Sequence, residues 1–367
     1  MVISPSTISS VQKLLTTLTP GTEPTPTPHV LTESQTTSLN KLINHFSESN
    51  LKLPILISNH ETKKSLTDWE KCSLLNREAL IRCLKADKWD TEKCIKRIED
   101  TIIWRRDCGA DQILIDEEQA AIVKSEAETG KMFVLGYDKL ARPIVHMRPR
   151  FQNTSVTPMR LQFTFWLIDR AIDLMPLGVD TVLLMIDLQG PQESPAYKQQ
   201  REFVKILSAY YYERLGQALV LNMPTLFVWV LKLIRPVVDP VTYAKAVFDQ
   251  PDPLNVAPAD QLDDTLGGTN GYVFDIKTYW PALMNECQRR RNERLERWIS
   301  TGKSIGSSEW IVEKDEKPEK ASGSSTISPT PAVTNTNSSE SLNPATTATT
   351  TTTTTTDSPA PVTLVVE

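Results

Sequence analysis

A carboxylate, a hydroxyl and an ammonium flank a nearly all-apolar stretch in the second half of the chain. Glu213 precedes the stretch LFVWVLKLI, and Thr242 and Lys245 follow it. Cations and the free N–H groups of a helix start bind a phosphodiester, whereas a carboxylate accepts hydrogen bonds from a polyol. Asp239 followed by Pro240 is typical of a helix start, which predicts Thr242 and Lys245 on one helix face. The helix start with Thr242 and Lys245 suits a phosphate; the alternative is an ordinary capped helix with a solvated lysine.

The apolar stretch itself predicts a helix with little polar surface. On a helical wheel, Thr225, Lys232 and Arg235 fall within an arc of about 80°, and almost every other position is apolar. The stretch is shorter than the roughly 20 residues that cross a bilayer. It is therefore either a central core helix or a lid over a lipid pocket, which would face a membrane when open.

The composition is that of a folded chain with polar ends. The chain has 367 residues, is 40% hydrophobic and carries a net charge of −5, which argues against non-specific nucleic-acid binding. The start MVISPSTISSVQKLL lacks the pattern of a signal peptide, and we expect none. None of the five cysteines forms a CxxC pair, which predicts buried, reduced thiols. Residues 1–30 and 314–367 are rich in Ser, Thr and Pro, and we expect both to be disordered.

Three folded regions are predicted between these ends. Apolar spacing over residues 31–115 predicts a small helical lobe, with Asp90 as the N-cap of one helix. Over residues 116–275, MFVLGYD and PIVHMRP predict a hairpin, and TVLLMIDLQ and ALVLNMP predict strands covered on both faces. Strand–helix alternation there indicates a mostly parallel sheet. Residues 276–313 form a C-terminal helix and extension.

The C-terminal helix contains five arginines interleaved with glutamates. This pattern predicts a solvated helix face, or a weak attraction to anionic membranes worth on the order of 1 kcal/mol per charge. The arginines are Arg289, Arg290, Arg291, Arg294 and Arg297.

Several segments resemble the CRAL-TRIO family of lipid-binding proteins, specifically the fungal phosphatidylinositol transfer proteins. They are LIRCLKADKWD, GYDKLARPIVHMRPR, YYYERLGQALVLNMP, LIRPVVDPVTYAK and LGG, and the resemblance covers roughly residues 31–300. It implies an α/β fold whose mostly parallel sheet is the floor of an apolar lipid pocket. A gate helix covers the pocket, and a small helical lobe precedes the sheet.

The resemblance also implies roles for individual residues. Glu213 matches an acid that hydrogen-bonds inositol, Thr242 and Lys245 match groups that contact its phosphate, and Lys88 matches a lysine that supports the same headgroup. The matching gate helix spans residues 223–238. When open, it would expose large apolar side chains to the bilayer: Leu226, Phe227, Trp229, Val230 and Leu233.

This chain departs from the family pattern at three places. Asp87 replaces a basic residue of the small-lobe site and Tyr212 replaces a proline, and both changes bear on headgroup affinity. Val182 and Leu184 stand where members that carry phosphatidylcholine have hydroxyls, so a buried choline phosphate would lack partners. The last pattern is similar to the subfamily implicated in sterol binding and azole tolerance.

The expected function is transfer of phosphatidylinositol, and of a sterol rather than phosphatidylcholine, between membranes. We expect a cytoplasmic monomer, with a dimer as the alternative, that contacts membranes or lipid droplets peripherally. No metal, cofactor or nucleic acid is expected. One alternative is a non-transferring, lipid-sensing interaction module that regulates lipid metabolism.

An enzyme is the other alternative, and the motifs argue against it. The sequence contains no GxGxxG, GxSxG, Walker loop or HExxH. We expect His146 to be packed within the sheet rather than to act as a base. Asp187 ends a strand, where catalytic acids of α/β enzymes often lie, but it has no obvious partner in the sequence.

Overall fold

The computed structural model describes residues 5–57, 60–112, 116–155, 158–191, 197–224, 240–248 and 251–310. The predicted gate-helix residues Leu226, Phe227, Trp229, Val230 and Leu233 lie outside these ranges, as does the predicted tail over 314–367. Within the described ranges, no helix is both long and apolar enough to cross a membrane.

A helical lobe is built from residues 33–107. Its elements are α2 (Glu33–Phe46), β1 (Lys52–Ile57), β2 (His60–Ser65), α3 (Asp68–Leu74), α4 (Arg77–Ala86) and α5 (Thr91–Asp107). The Asp90 side chain accepts a hydrogen bond from the Lys93 amide, which confirms the predicted cap of α5. The antiparallel hairpin of β1 and β2 is an addition to the all-helical lobe that the apolar spacing predicted.

The central sheet has five strands in the order β3-β4-β5-β6-β7. These are β3 (Met132–Tyr137), β4 (Pro143–Met147), β5 (Val182–Asp187), β6 (Leu215–Leu221) and β7 (Ala246–Val247). The first two strands pair antiparallel and all later pairs are parallel, which confirms the predicted hairpin and mostly parallel sheet. The remaining helices are α6 (Glu117–Ala127), α7 (Pro158–Asp173), α8 (Tyr197–Tyr210), α9 (Pro240–Ala244) and α10 (Ile276–Ser300).

Both faces of the sheet are buried, as the continuous apolar runs predicted. Alternate residues of a strand point to opposite faces. On β5, Val182 and Leu184 therefore join a large apolar cluster with Phe163 of α7. The next residues, Leu183 and Met185, join a second cluster on the other face.

The N-terminal segment contains a helix, α1 (Pro5–Thr16), that packs against α10 and β3. The prediction of a disordered head over residues 1–30 is therefore wrong for this segment. Val11, Leu14 and Leu15 are buried within the large apolar cluster, and the Leu15 carbonyl accepts a hydrogen bond from the Tyr137 hydroxyl at 2.7 Å. These residues recur at helical spacing, so α1 forms because one apolar stripe is covered by the rest of the fold.

Residues 301–310, here called the C-terminal strap, follow α10 and return to the helical lobe. The Gly306 amide donates to the Leu75 carbonyl at 2.8 Å, and the Arg77 amide donates to the Ser307 carbonyl at 3.0 Å. The Glu309 amide donates to the Glu78 carboxylate at 3.0 Å. The strap thus joins the C-terminal end of α10 to the start of α4.

The predicted solvated face of α10 is confirmed for Arg289, which is exposed and pairs with Glu293, but Arg290 and Arg291 point inward. Glu286 is only 1% exposed, and it accepts hydrogen bonds at 2.6 Å from both Arg289 and Arg290. Arg291 is also buried and pairs with Asp173 at 3.0 Å. The helix has this inward-facing basic side because buried carboxylates need counter-ions.

All five cysteines lie in the described ranges as free thiols. Four are buried and Cys108 is half-buried. Burial raises the pKa of Cys72 to about 11 and that of Cys287 to about 12, because desolvation penalises the thiolate. The expectation of burial is confirmed for four of the five thiols.

Candidate functional site

Glu213 lies in the tight turn between α8 and β6. Its backbone has a φ of 54°, in the left-handed region, and the Arg214 amide closes the turn on the Tyr211 carbonyl at 3.2 Å. Such a conformation costs a non-glycine residue about 1–3 kcal/mol and persists only where neighbours enforce it. The buried Tyr211 does so by stacking on Phe165 at 5.8 Å. The turn therefore presents a half-exposed carboxylate on a rigid support.

Lys245 is brought to this carboxylate by the parallel pairing of β6 and β7. The Ala218 amide donates to the Lys245 carbonyl at 2.9 Å, which places Lys245 beside the middle of β6. The Lys245 ammonium then lies 3.3 Å from Oε2 of Glu213. Helix α9 ends at Ala244, so Lys245 directly follows the helix. A cation and an acceptor thus meet at one surface site.

Thr242 and Lys88 complete the predicted headgroup set. The backbone of Thr242 lies within α9, and its side chain is outside the described part of the structure. Lys88 is exposed in the turn after α4, with a φ of 53°. Its ammonium forms no ion pair or hydrogen bond with the described residues, those of the Glu213–Lys245 pair included.

Asp87, the departure beside Lys88, is held by a residue that sequence reasoning missed. Arg97 of α5 donates two hydrogen bonds to its carboxylate, both at 2.7 Å, and the Asp87 side chain is only 7% exposed. Arg97 also donates to the Ser208 carbonyl of α8 at 3.1 Å and lies over the ring of Tyr212. The charge of Asp87 is therefore neutralised, and the pair ties the helical lobe to the helix that precedes Glu213.

A second polar cluster lies at the carboxyl ends of β5 and β6. Asp187 accepts hydrogen bonds from Arg150 and, at 2.8 Å, from the Asn222 amide group. These bonds lower the pKa of Asp187, although its partial burial acts in the opposite direction. No partner of Asp187 was evident in the sequence, because Arg150 follows β4 and reaches Asp187 only through the parallel pairing of β4 and β5. The structure thus supplies a partner where none was expected.

His146 is packed inside the sheet, as predicted. It is 4% exposed, its ring stacks on Phe133 at 4.5 Å, and its Nε2 lies 3.0 Å from the Leu135 carbonyl oxygen. Burial lowers the pKa of His146 to about 4, so the ring is neutral near pH 7.

Val182 and Leu184, the predicted pocket-strand residues, are 3% and 8% exposed. Both belong to the same apolar cluster, together with Phe163 and Trp166 of α7. Neither side chain can form a hydrogen bond, and both pack against other apolar side chains in this structure.

Comparison with known proteins gives two family matches. The CRAL/TRIO domain matches residues 127–268, and the CRAL/TRIO N-terminal domain matches residues 38–100. A CRAL-TRIO domain-containing protein of Schizosaccharomyces pombe is 37% identical over 294 residues, which is 80% of this chain but 28% of that protein. The chain thus spans less than a third of that relative's length.

For two further yeast relatives, the match covers most of the relative's own length. Phosphatidylinositol transfer protein PDR17 of Saccharomyces cerevisiae is 31% identical over 295 residues, covering 76% of this chain and 83% of that protein. SEC14 cytosolic factor of Candida glabrata is 25% identical over 218 residues, covering 53% and 71%. The crystal structure of Sfh5 aligns with a TM-score of 0.45 and 15% identity, covering 72% of this chain and all of that one.

Proposed function

The chain belongs to the CRAL-TRIO family, and from this premise we propose that it transfers phosphatidylinositol between membranes. The observation that carries the proposal is the pairing of Glu213 and Lys245 at the start of β6. A carboxylate and an ammonium that lie 3.3 Å apart are suited to the two halves of an inositol phosphate. The similarity to PDR17, which is named a phosphatidylinositol transfer protein, supports the same function.

In the proposed complex, inositol hydroxyls donate hydrogen bonds to Glu213, and phosphate oxygens accept them from Lys245. The headgroup must first open the ion pair between these residues. Their side chains are 40% and 25% exposed, and such pairs contribute only about 0.2–1 kcal/mol. Charge-assisted hydrogen bonds to a ligand are worth roughly 1.5–3 kcal/mol each, so the exchange favours binding. Thr242 and Lys88 are proposed to contact the same phosphate.

The second ligand is proposed to be a sterol, not phosphatidylcholine. A choline phosphate buried beside Val182 and Leu184 would lose its hydration without gaining hydrogen bonds, which costs several kcal/mol. A sterol ring system requires no partner there and gains about 25 cal/mol per Å² of apolar surface removed from water.

Exchange is proposed to occur while the protein is docked on a membrane. Releasing a lipid into water would expose its whole apolar surface, whereas docking avoids that cost. The residues proposed as the gate lie outside the described ranges, so the proposal for them rests on family membership. We propose a cytoplasmic protein in peripheral contact with membranes or lipid droplets.

The test is transfer of labelled phosphatidylinositol between vesicles by the double variant Glu213→Gln, Lys245→Gln. We expect transfer to fall by at least tenfold, since two charge-assisted hydrogen bonds of roughly 1.5–3 kcal/mol are lost. The matched control is Lys96→Gln with Asp100→Asn, which removes another exposed ion pair, on α5. This control should transfer normally.

Three outcomes would contradict parts of the proposal. Normal transfer by the Glu213, Lys245 variant would show that the headgroup site lies elsewhere. Uptake of labelled phosphatidylcholine by the unmodified protein would overturn the argument from Val182 and Leu184. A protein that takes up none of phosphatidylinositol, phosphatidylcholine or sterol would instead be an interaction module.

A further inference from the structure

A polar cavity is lined in part by the C-terminal strap and by Arg214, the residue after Glu213. Its volume is about 160 Å³, and it is bounded by the loop after α7, the last turns of α10 and the strap. A single water needs roughly 10–15 Å³, so the cavity has room for several waters or for one small anion. The residues that line it include Met175, Arg214, Arg294, Arg297, Glu309 and Trp310.

The arginines of this cavity exceed the carboxylates available to them. Arg289 and Arg290 also line it, but Glu286 holds both, and Glu293 holds Arg289 as well. Arg214 donates to a backbone carbonyl, that of Asp180, at 2.9 Å, and has no carboxylate partner in the described ranges. Arg297 likewise forms no ion pair with the described residues.

Arg214 is unusually placed for a guanidinium. Burial and the nearby charges of Arg82 and Arg294 lower its pKa to about 9. Mutually repelling arginines in a desolvated setting are stabilised by an anion between them. Glu309 and Asp180 act on the pKa of Arg214 in the opposite direction, but arginines outnumber carboxylates in the lining of the cavity, and this excess favours an anion.

The strap brings one carboxylate into this cavity. The Glu309 carboxylate lies 3.5 Å from Nε of Arg294, a distance too long for a close ion pair. The position of Glu309 is set by its backbone, because its amide is held by Glu78 and the neighbouring Trp310 is buried. The Glu309 carboxylate can therefore move away from Arg294 while the backbone of the strap keeps its contacts.

We propose that this cavity binds a phosphate group through Arg214, Arg294 and Arg297, and that Glu309 is an internal carboxylate which the phosphate displaces. Guanidinium groups bind phosphate oxygens through paired N–H donors, and a phosphate carries more charge than one carboxylate. The site is separate from the proposed headgroup site, since Glu213 contacts Lys245 while Arg214 contacts the loop after α7. The phosphate could belong to a soluble compound or to a phosphorylated lipid headgroup.

The experiment measures binding to the full chain in two arms. Isothermal titration with inorganic pyrophosphate tests a soluble source, and sedimentation with phosphatidylcholine vesicles, with or without phosphatidylinositol monophosphate, tests a lipid source. We expect Arg297→Gln to weaken binding about tenfold or more, as for loss of one charge-assisted hydrogen bond. Glu309→Gln should tighten binding several-fold, because the internal competitor is removed. Lys277→Gln, an exposed change at the other end of α10, is the matched control.

The proposal predicts that Glu309→Gln and Arg297→Gln change the binding affinity in opposite directions. Tightening by Glu309→Gln and weakening by Arg297→Gln in either arm supports the site, and the arm that responds identifies the source. Binding that Glu309→Gln weakens or leaves unchanged would overturn the proposal, as would Arg297→Gln behaving like Lys277→Gln, or no binding in both arms. Thermal unfolding, monitored by circular dichroism, establishes that each variant is folded. Phosphatidylinositol transfer by Arg297→Gln should be normal, which separates this site from that of Glu213 and Lys245.

Discussion

The Glu213 carboxylate lies 3.3 Å from the Lys245 ammonium, although 32 positions separate them in the chain. The contact exists because β6 and β7 run parallel, so the segments that lead into both strands lie at the same end of the sheet. Between the two residues in sequence lies the segment predicted to cover the lipid. A headgroup bound by this pair would therefore contact one residue on each side of that segment in the chain.

We predict that the Glu213–Lys245 pair contributes little to folding. Glu213→Ala or Lys245→Ala should lower the free energy of unfolding by less than about 1 kcal/mol, because both side chains are partly solvated. Urea denaturation of both single variants and the double variant measures the coupling between them. A loss above 2 kcal/mol, by contrast, would make the pair structural, and lost lipid transfer could not then be assigned to headgroup binding.

Breaking the Asp87–Arg97 pair should have a larger effect. Asp87→Ala should destabilise the protein by about 2–3 kcal/mol, since it leaves a half-buried guanidinium without its carboxylate. Asp100→Ala, an exposed carboxylate on the same helix as Arg97, should change stability by less than about 0.5 kcal/mol. Equal urea midpoints for the two variants would show that the Asp87–Arg97 pair does not stabilise the contact between the helical lobe and α8.

Stability should decrease as the solution becomes more acidic, partly through His146. Its folded-state pKa of about 4 lies below the ordinary value of about 6.5, so between these values the unfolded chain binds a proton that the folded chain does not. The contribution of His146 is thus complete above pH ~6.5 and is lost toward pH ~4, at up to about 1.4 kcal/mol per pH unit.

His146→Phe keeps the stacking on Phe133 and removes the titration. Urea denaturation at pH of about 7 and about 5 should therefore show a smaller loss for this variant than for the unmodified protein. Identical losses would mean that groups other than His146 cause the pH dependence.

The N-terminal helix should contribute to stability as core helices do. Leu15→Ala should cost about 2–5 kcal/mol, because Leu15 is 1% exposed and its removal leaves a cavity. Val30→Ala is the control, since Val30 is 97% exposed and should matter by less than about 0.5 kcal/mol. A disordered head, as the composition suggested, would make the two substitutions equally neutral in thermal or urea unfolding.

Local signals predicted much of the fold because they act over a few residues. The runs around Val182 and Leu219 predicted buried strands, and Asp90 predicted a helix start. Composition failed over residues 5–16, where three apolar side chains among Ser and Thr suffice for a helix once α10 and β3 cover them. The β1–β2 hairpin was missed because its stability comes from packing against α5, not from a turn signal.

Patterns along the sequence predicted which strands are buried on both faces, and the motifs indicated the family. Only the tertiary structure decided which charges meet. Glu213 with Lys245, Asp87 with Arg97, and Asp187 with Arg150 are each joined through strand pairing or helix packing. Hydrophobic periodicity records which face of an element is buried, whereas an ion pair depends on where two separate elements lie, and no local pattern contains that information.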